Sequence, residues 1–518
     1  MPALIRPARR PAPIAPGPSP DAEGRRAVRD GLIVTLGGQV ERALGTITAL
    51  LLRWLLDPAR LGVYTGLRLF LDQTNRSSLG VGLGAVQEIP VLRAQGRHAE
   101  AQRVADVAHA ANTATCLAYA AGLLAWAWWR SGVVAATDPL AAEWTWGLVA
   151  VAGLAILKRY ESFLIAVLRA HREFALTTEL DVFEALVSIV AVGLGLWLAG
   201  FWGLLGSVGV IVLAKIAYLH ARHPFRFGRA WDWPVAWRLM RTGLPILANT
   251  ATLAAVLSLD RALILARVPD GDRAAGLYTV AIMGTSWGLD LAGRVVAVLY
   301  THFQTTLGRT DDPAAVARQA ARATEAQAAI LAAGAAVAYL VGPVFLGLMM
   351  PRYAEGLAAL RPLLPGTVLL GLAWPARQML IAVGRPYRLA AATLLGLAIQ
   401  VGAGVVGADR GGIVGVAWGM SLGYAAVATL TSLAALVPPL GRRAWLAHIA
   451  RLGRTLLGFA LGTLLTAHVP LGPLGRWPDF AARCLLLAAW LAPTLYLWGR
   501  RHEWGGLLRR RGAGGGTV

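Results

Sequence analysis

A short motif near the amino terminus occurs again in the second half of the chain. Gly-Val-Tyr-Thr at residues 62–65 returns, with one conservative change, as Gly-Leu-Tyr-Thr at residues 276–279. A second pair, Gly-Leu-Leu-Gly at 203–206 and Gly-Ile-Val-Gly at 412–415, has a similar offset. Each motif opens a long apolar stretch. Two repeats at nearly the same spacing predict a duplicated bundle of about six helices in each half of the chain.

The composition is that of a chain embedded in a lipid bilayer. Of the 518 residues, 56% are hydrophobic and 15% are charged, whereas a soluble domain carries roughly a quarter charged residues. A helix that crosses a bilayer needs about 20 largely apolar residues, and about 14 such stretches follow residue 31. We therefore predict an all-α polytopic membrane protein with two pseudo-symmetric six-helix lobes and two carboxy-terminal helices.

The same stretches predict the order of segments along the chain. These are a disordered Arg/Pro-rich tail at 1–30, an amino-terminal lobe at 31–220, a basic connector at 221–241, a carboxy-terminal lobe at 242–437, two additional helices at 446–499 and a disordered tail at 500–518. The first tail has no apolar core of the signal-peptide kind, so we interpret the first span as an uncleaved anchor.

The arginines indicate how the chain is oriented in the membrane. Counted over the loops and both tails, roughly 30 lie on one side and about 10 on the other, and the positive side is cytoplasmic. We therefore expect a multi-pass protein of the bacterial cytoplasmic membrane with both termini inside. The net charge of +21 is spread over short clusters between apolar stretches, which argues against nucleic-acid binding.

The sequence has no motif for a resident cofactor. Lys158 and Lys215, its two lysines, lack the glycine and hydroxyl neighbours of a phosphate-binding loop. Cys116 and Cys484 are too few for a zinc site or a disulfide framework. No nucleophile elbow is present. We therefore predict no cofactor, no metal, no catalytic residue and no enzymatic activity.

Tryptophans are interleaved with arginines in the connector. Trp231, Trp233 and Trp237 lie in the most basic link between two spans, at the junction of the two lobes. Aromatic residues beside arginines are typical of a helix lying at the membrane surface. Two roles remain open for this segment, a lipid-anchoring hinge or an inert linker.

Several short stretches fall in an order shared with a known family of membrane proteins. In chain order they are residues 52–64, 242–247, 259–265, 275–281, 350–353, 365–366 and 384–386. They resemble the opening helix and loop, the seventh and eighth helices, and the carboxy-terminal lobe of the Wzx-like polysaccharide flippases. This family belongs to the multidrug/oligosaccharidyl-lipid/polysaccharide exporter superfamily. The similarity covers most of the first twelve spans.

The resemblance implies a function and partners. Such a protein moves an oligosaccharide on a polyprenyl diphosphate from the cytoplasmic to the outer leaflet, driven by the membrane potential or an ion gradient. The cargo would be a repeat unit of O-antigen, capsule or exopolysaccharide, and the partners would be membrane lipids with the glycosyltransferases and glycan polymerase of the same pathway. Parallel repeats suit this alternating access. The alternatives are a drug or small-molecule antiporter of the same superfamily and a membrane-embedded glycan polymerase or ligase.

Ionisable residues inside the spans are candidates for the substrate site, because charges in a bilayer are costly and usually face a cavity or each other. In the second span, Arg68, Asp72 and Arg76 follow at i, i+4 and i+8, which places all three on one face of a continuous helix. Asp290 and Arg294 repeat the i, i+4 spacing in the eighth span.

The repeat relates charges of the two halves. An offset of 214 residues makes Arg76 equivalent to Asp290, so these two are expected to face each other across a chamber between the lobes. Arg42 lies midway along the first span, and Asp260 with Arg261 lies near the outer end of the seventh.

We hypothesise that arginines at these positions hold the diphosphate, since the planar guanidinium fork binds two phosphate oxygens at once. The predicted substrate-binding residues, all charged and inside the membrane, are Arg42, Arg68, Arg76, Asp260, Arg261, Asp290 and Arg294. The competing interpretation is that these charges form ion pairs that only fix helix packing.

A second group of charges lies in the first half. Lys158, Arg159 and Glu161 interrupt the fourth span, Asp181 and Glu184 open the fifth, and Lys215 lies near the cytoplasmic end of the sixth. We expect Lys215 to extend to the membrane surface. The acidic pair is expected to neutralise its basic neighbours, and a role in proton coupling remains open.

Overall fold

The computed structural model describes residue 38 and residues 41–133, 140–170, 173–223, 225, 227–228, 230–469 and 476–501. The predicted tail at 1–30, the start of the first span and residues 502–518 lie outside this part of the chain. All regular structure among the described residues is helical, so the predicted all-α fold class is confirmed.

The first half contains six helices and one short 3₁₀ turn among its described residues. They are α1 (41–55), α2 (Pro58–Gln73), the 3₁₀ turn (Arg76–Ser78), α3 (Val81–Ala94), α4 (His98–Val133), α5 (Ala141–Ala170) and α6 (Phe174–Arg222). The second half continues with α7 (Trp233–Arg267), α8 (Gly271–Thr310), α9 (Pro313–Leu340), α10 (Gly342–Met349), a 3₁₀ segment (Pro351–Ala359), α11 (Leu360–Leu372), α12 (Trp374–Ala382), α13 (Pro386–Leu440), α14 (Arg442–Ala467) and α15 (Arg476–Arg501).

Asp-Pro pairs start two of these helices. The Asp57 carboxylate accepts a hydrogen bond from the backbone N–H of Arg60 at 3.0 Å, and Pro58 follows as the first helical residue of α2. Asp312 does the same for α9, accepting from Ala314 N–H at 2.8 Å. The carboxylate satisfies a free N–H of the first turn, and proline has the backbone angle that this turn requires.

Five described segments are long and apolar enough to cross a bilayer by length and composition. They are Leu176–Arg222, Trp233–Arg267, Pro313–Leu340, Pro351–Ala382 and Pro386–Leu440. The first and last are 47 and 55 residues long, and each contains a kink that divides it into two spans.

The two kinks are copies of one another. Gly200 in α6 has φ 54° and ψ −127°, and Gly412 in α13 has φ 53° and ψ −135°, a region that only glycine enters without strain. Gly203 and Gly415 then pack against the backbone of the preceding helix. On the sequence alone, residues 203–206 pair with residues 412–415, but the structure makes Gly200 equivalent to Gly412, an offset of 212. The predicted register of this second repeat is therefore wrong by three residues.

The second predicted span is broken rather than continuous. Helix α2 ends at Gln73, and Leu79 and Gly80 adopt φ values of 52° and 81° before α3 begins. The first part, α2, packs against α8, while the second part, α3, packs against α7. One span of the amino-terminal lobe therefore contacts two helices of the other lobe.

Helix α7 joins the lobes. Its first turns, including Ala236 and Leu239, are buried against α3, α4 and α5 of the amino-terminal lobe. Farther along, Val256 and Ile264 belong to the core of the carboxy-terminal lobe with α8, α11 and α13. Part of the predicted connector at 221–241 is thus the helical start of α7.

The last two helices pack outside the carboxy-terminal lobe. Phe459 of α14 and Leu487 and Leu491 of α15 lie against a row of alanines on α9. A polar contact reinforces this packing, since Glu325 of α9 accepts from both His448 and Arg451 of α14 at 2.8 Å.

Candidate functional site

A cavity of about 470 Å³ lies between α1 and the carboxy-terminal lobe. Small and apolar residues of α8, α9, α10 and α11 form most of its wall, among them Gly284, Gly334 and Val368. Helix α1 contributes Arg42 and Thr46. Arg42 is the charged residue among the described side chains that line this cavity.

Arg42 is paired across the boundary between the lobes. Its Nη2 atom lies 3.1 Å from Oδ2 of Asp290 on α8. The Arg42 side chain is 20% exposed and that of Asp290 is 50% exposed. The ion pair joins the first helix of one lobe to the second helix of the other, at the edge of the cavity.

The expected opposition of Arg76 and Asp290 is wrong. Arg76 lies in the 3₁₀ turn beyond the end of α2, and its Nη1 donates to Oε1 of Gln73 at 2.8 Å. Since the helix stops after Gln73, the i, i+4, i+8 rule does not extend from Arg68 and Asp72 to Arg76. The three charges therefore do not share one helix face.

Arg68 and Asp72 line a different cavity, which has a volume of about 180 Å³ and lies inside the amino-terminal lobe. Lys158 and Glu184 are also in its wall. The structure therefore separates Arg42 from Arg68 and Arg76 and does not form one arginine-lined chamber from them.

The remaining predicted site residues lie in the carboxy-terminal lobe. Arg294 belongs to α8, and its side chain is outside the described part of the structure. Asp260 is buried and accepts from Arg261 Nε at 3.3 Å. Nearby, Tyr278 Oη and Gln400 Oε1 are buried without a hydrogen-bond partner among the described residues. These polar side chains lie in the core of the carboxy-terminal lobe and do not line the cavity that contains Arg42.

The expectation that Lys215 extends to the membrane surface is wrong. Its side chain is 4% exposed, and Nζ lies 2.5 Å from Oε1 of the fully buried Glu161. Lys215 also pairs with Glu184, and Lys158 pairs with Glu161 at 2.8 Å. Glu184 thus neutralises a basic neighbour, as expected. Both lysines of the protein lie in this one network.

Three buried arginines were not among the predicted site residues. Arg159 donates from Nη1 to Asn112 Oδ1 at 3.0 Å and from Nη2 to Ser77 in the break of the second span. Arg377 donates to Thr393 Oγ1 at 3.4 Å. The third is Arg53. Each has uncharged acceptors, so no i, i+4 charge pattern marks them, although Arg159 adjoins Lys158 in the sequence.

The carboxy-terminal end of α1 is joined to the other lobe by side-chain-to-backbone hydrogen bonds. Arg53 Nη2 donates to the carbonyl oxygen of Thr279 at 3.1 Å, within the second copy of the repeated tetrapeptide. Tyr353 Oη donates to the carbonyl oxygen of Leu56 at 2.8 Å. The lobes are therefore closed against each other at this end. Among the described residues, no group of three His, Cys, Asp or Glu side chains could hold a metal ion.

No protein-family model and no curated protein sequence matches the chain. Among solved structures, the lipid II flippase MurJ in an inward closed conformation superposes with a TM-score of 0.67, over 91% of this chain and 99% of that chain, at 11% identity. The fold is that of the MATE and MurJ transporters. An inward-facing multidrug resistance MATE family transporter of the MOP superfamily gives a TM-score of 0.57, over 78% of this chain and 95% of that chain, at 15% identity.

An outward-facing multidrug resistance MATE family transporter gives a TM-score of 0.52, over 82% of this chain and 96% of that chain, at 15% identity. At 11% to 15% identity these likenesses show the fold alone, and the solved structures that share it are of transporters and a flippase. The apolar composition and the five long apolar segments agree with the predicted multi-pass membrane protein. The Wzx-like family itself remains a prediction.

Proposed function

We propose that the protein carries a polyprenyl-diphosphate-linked oligosaccharide across the cytoplasmic membrane by alternating access. The observation that carries the proposal is the cavity at the boundary between the lobes, whose wall is mostly apolar and has Arg42 as its charged residue among the described side chains. An apolar wall with one cation at its edge suits an amphiphile that has an anionic head. The fold that it shares over 91% of its length with a lipid II flippase supports the same class of cargo.

Arg42 is the proposed contact for the diphosphate. In this structure its guanidinium pairs with the Asp290 carboxylate at 3.1 Å. A phosphate also presents two oxygens to the guanidinium, so it can compete with the carboxylate for the same N–H groups. Asp290, already half exposed, can then be hydrated. The proposal assigns no substrate contact to Asp260 or Arg261, which lie in the lobe core.

Movement of the cargo requires the lobes to separate on one side at a time. Arg53 and Tyr353 close the boundary between the lobes at the carboxy-terminal end of α1 through hydrogen bonds to backbone carbonyls. The Arg42–Asp290 pair bridges the lobes farther along α1 and α8. If a phosphate replaces the Asp290 carboxylate at Arg42, this ion pair between the lobes breaks. Cargo binding would then be coupled to the contact between the lobes. Glycosyltransferases that build the cargo and a polymerase that consumes it are the implied functional partners.

The two ends of one ion pair provide the test. The purified protein is reconstituted in liposomes, and flipping of a fluorescent polyprenyl-diphosphate oligosaccharide is measured for Arg42→Gln and Asp290→Asn. Both changes break the same pair, so a purely structural role predicts equal losses. The proposal predicts that Arg42→Gln loses activity by about 10- to 100-fold, as expected for a lost charge-assisted contact, while Asp290→Asn retains or gains activity.

Transport of a small amphiphilic compound is a second candidate, favoured by the apolar cavity wall and by the MATE neighbours. The same liposomes distinguish the two. Counterflow of a lipophilic dye that depends on an ion gradient, with no movement of the lipid-linked glycan, would replace the flippase proposal with this one.

A further inference from the structure

The start of α7, with the residue two positions before it, presents a row of three tryptophans that are each more than half exposed. Trp231, Trp233 and Trp237 are 59%, 56% and 56% exposed. Their rings are nearly parallel, with centroids 6.5 Å apart between the first two and 6.2 Å apart between the last two. Three adjacent indoles left open in this way form one continuous surface, which isolated exposed side chains would not.

One cation continues this surface. Trp233, Trp237 and Arg241 follow at i, i+4 and i+8 and so share one helix face. Arg241 is exposed and forms no ion pair with a described carboxylate. The neighbouring arginines differ, because Arg238 pairs with Glu88 at 2.6 Å and Arg103 pairs with Asp232 at 2.6 Å.

The opposite face of the same turns is fixed to the protein. Ala236 and Leu239 are buried against the amino-terminal lobe. The exposed face continues past Arg241 to Leu244, which is 51% exposed where α7 becomes apolar. With a rise of about 1.5 Å per residue, Trp233 lies about 12 Å along the helix from Arg241. These side chains therefore form one stripe of about 12 Å, from Trp233 to Arg241, on the exposed face of α7.

We propose that this Trp–Arg face (Trp231, Trp233, Trp237 and Arg241) binds the head group of an anionic phospholipid. The phosphate contacts the unpaired guanidinium of Arg241, and the indoles pack along the glycerol and head-group region, where tryptophan is enriched in membrane proteins. The positive charge of this side of the protein matches an anionic lipid. Since α7 runs from one lobe into the other, the bound lipid holds the junction at the membrane surface. The inference does not depend on the transported cargo.

Native mass spectrometry of the full-length protein in detergent, titrated with phosphatidylglycerol or phosphatidylcholine, tests this site. Arg241→Gln is expected to weaken the first phosphatidylglycerol binding step by about fivefold, the effect of ~1 kcal/mol for one arginine near an anionic surface. Arg241→Lys should keep most of the affinity. The control Arg443→Gln removes an exposed arginine from the start of α14 and should leave that step unchanged.

A second pair of variants tests the aromatic row. The triple change Trp231→Leu, Trp233→Leu and Trp237→Leu should weaken phosphatidylglycerol binding, whereas Trp128→Leu with Trp129→Leu, also exposed, should not. Unchanged phosphatidylglycerol binding in both Arg241→Gln and the triple variant would overturn the proposal. A wild-type dimer that the triple variant loses would overturn it as well, because the occupant would then be a second copy of the chain.

Discussion

Gly62 of α2 and Gly276 of α8 are equivalent in the two halves, and each packs on the other's helix. A β-carbon at Gly62 would lie 1.6 Å from the carbonyl oxygen of Asp272, and one at Gly276 would lie 1.8 Å from that of Pro58. Both contacts follow from one offset of 214 residues, as a pseudo-two-fold axis between the lobes requires. The repeated tetrapeptide thus marks the point where the two halves cross.

Substitution of either glycine by alanine should therefore separate α2 from α8. We expect Gly62→Ala and Gly276→Ala to destabilise the protein by ~1–3 kcal/mol, since the added methyl group meets rigid backbone. Unfolding by SDS titration in mixed micelles measures this loss. Gly122→Ala in α4 is the matched control, because its β-carbon would meet no atom within 4 Å. Equal stability of Gly276→Ala and Gly122→Ala would contradict the close packing of α2 against α8 at Gly276.

The two kinks predict a purely conformational effect. Gly200→Ala should cost ~1–2 kcal/mol, because φ 54° is unfavourable for a residue with a β-carbon. No atom lies within 4 Å of the position of that carbon, so steric contact with a neighbour does not contribute. Gly206→Ala, in the helical part after the kink and equally free of contacts, should be neutral or slightly stabilising. The same SDS titration compares them, and an equal effect at both positions would exclude a conformational origin.

The buried lysine network predicts non-additive mutations. Lys215→Met should cost ~3–5 kcal/mol, since it leaves the fully buried Glu161 without one of its two ammonium partners. Adding Glu161→Gln to Lys215→Met should restore part of this loss. Glu179→Gln is the control, because its pair with Arg222 is half exposed on both sides and should matter by about 1 kcal/mol or less. Strict additivity in the double-mutant cycle would show that the pair does not interact.

The contacts of Glu325 predict how the last two helices are held. Glu325→Gln removes the carboxylate shared by His448 and Arg451. Amide hydrogen exchange in α14 should rise by roughly 10-fold or more, the effect of ~1–3 kcal/mol for an unsatisfied buried partner. Asp479→Asn breaks a pair within α15 and serves as the comparison. Unchanged exchange in α14 of Glu325→Gln would leave alanine packing on α9 as the main attachment.

The architecture could be predicted from the sequence because it depends on apolar length and on repetition, both of which are local patterns. The register of the second repeat could not. Glycines three residues apart occur at 200–203 and at 203–206, so either set matches 412–415. Only the positive φ at Gly200 and Gly412 selects the correct pair.

The candidate site was predicted less well, because charge spacing was interpreted on a helix assumed to be continuous. The break at Leu79 and Gly80 follows a polar run at residues 72–78 (Asp-Gln-Thr-Asn-Arg-Ser-Ser), whose turn-forming residues mark the end of α2 in the sequence. Arg42 and Asp290 were both selected from the sequence, but their pairing was not, since their equivalent positions in the repeat differ. Which buried cation meets which carboxylate depends on the packing of helices far apart in the chain.

The location of lipid-linked repeat units in a strain that lacks this protein tests the central claim most directly. Spheroplasts of that strain are treated with a membrane-impermeant glycan label, and labelled and total polyprenyl-linked units are compared with those of the complemented strain. Flipping by this protein predicts complete repeat units that accumulate but stay inaccessible to the label. Single units that are fully accessible at the outer surface would contradict it.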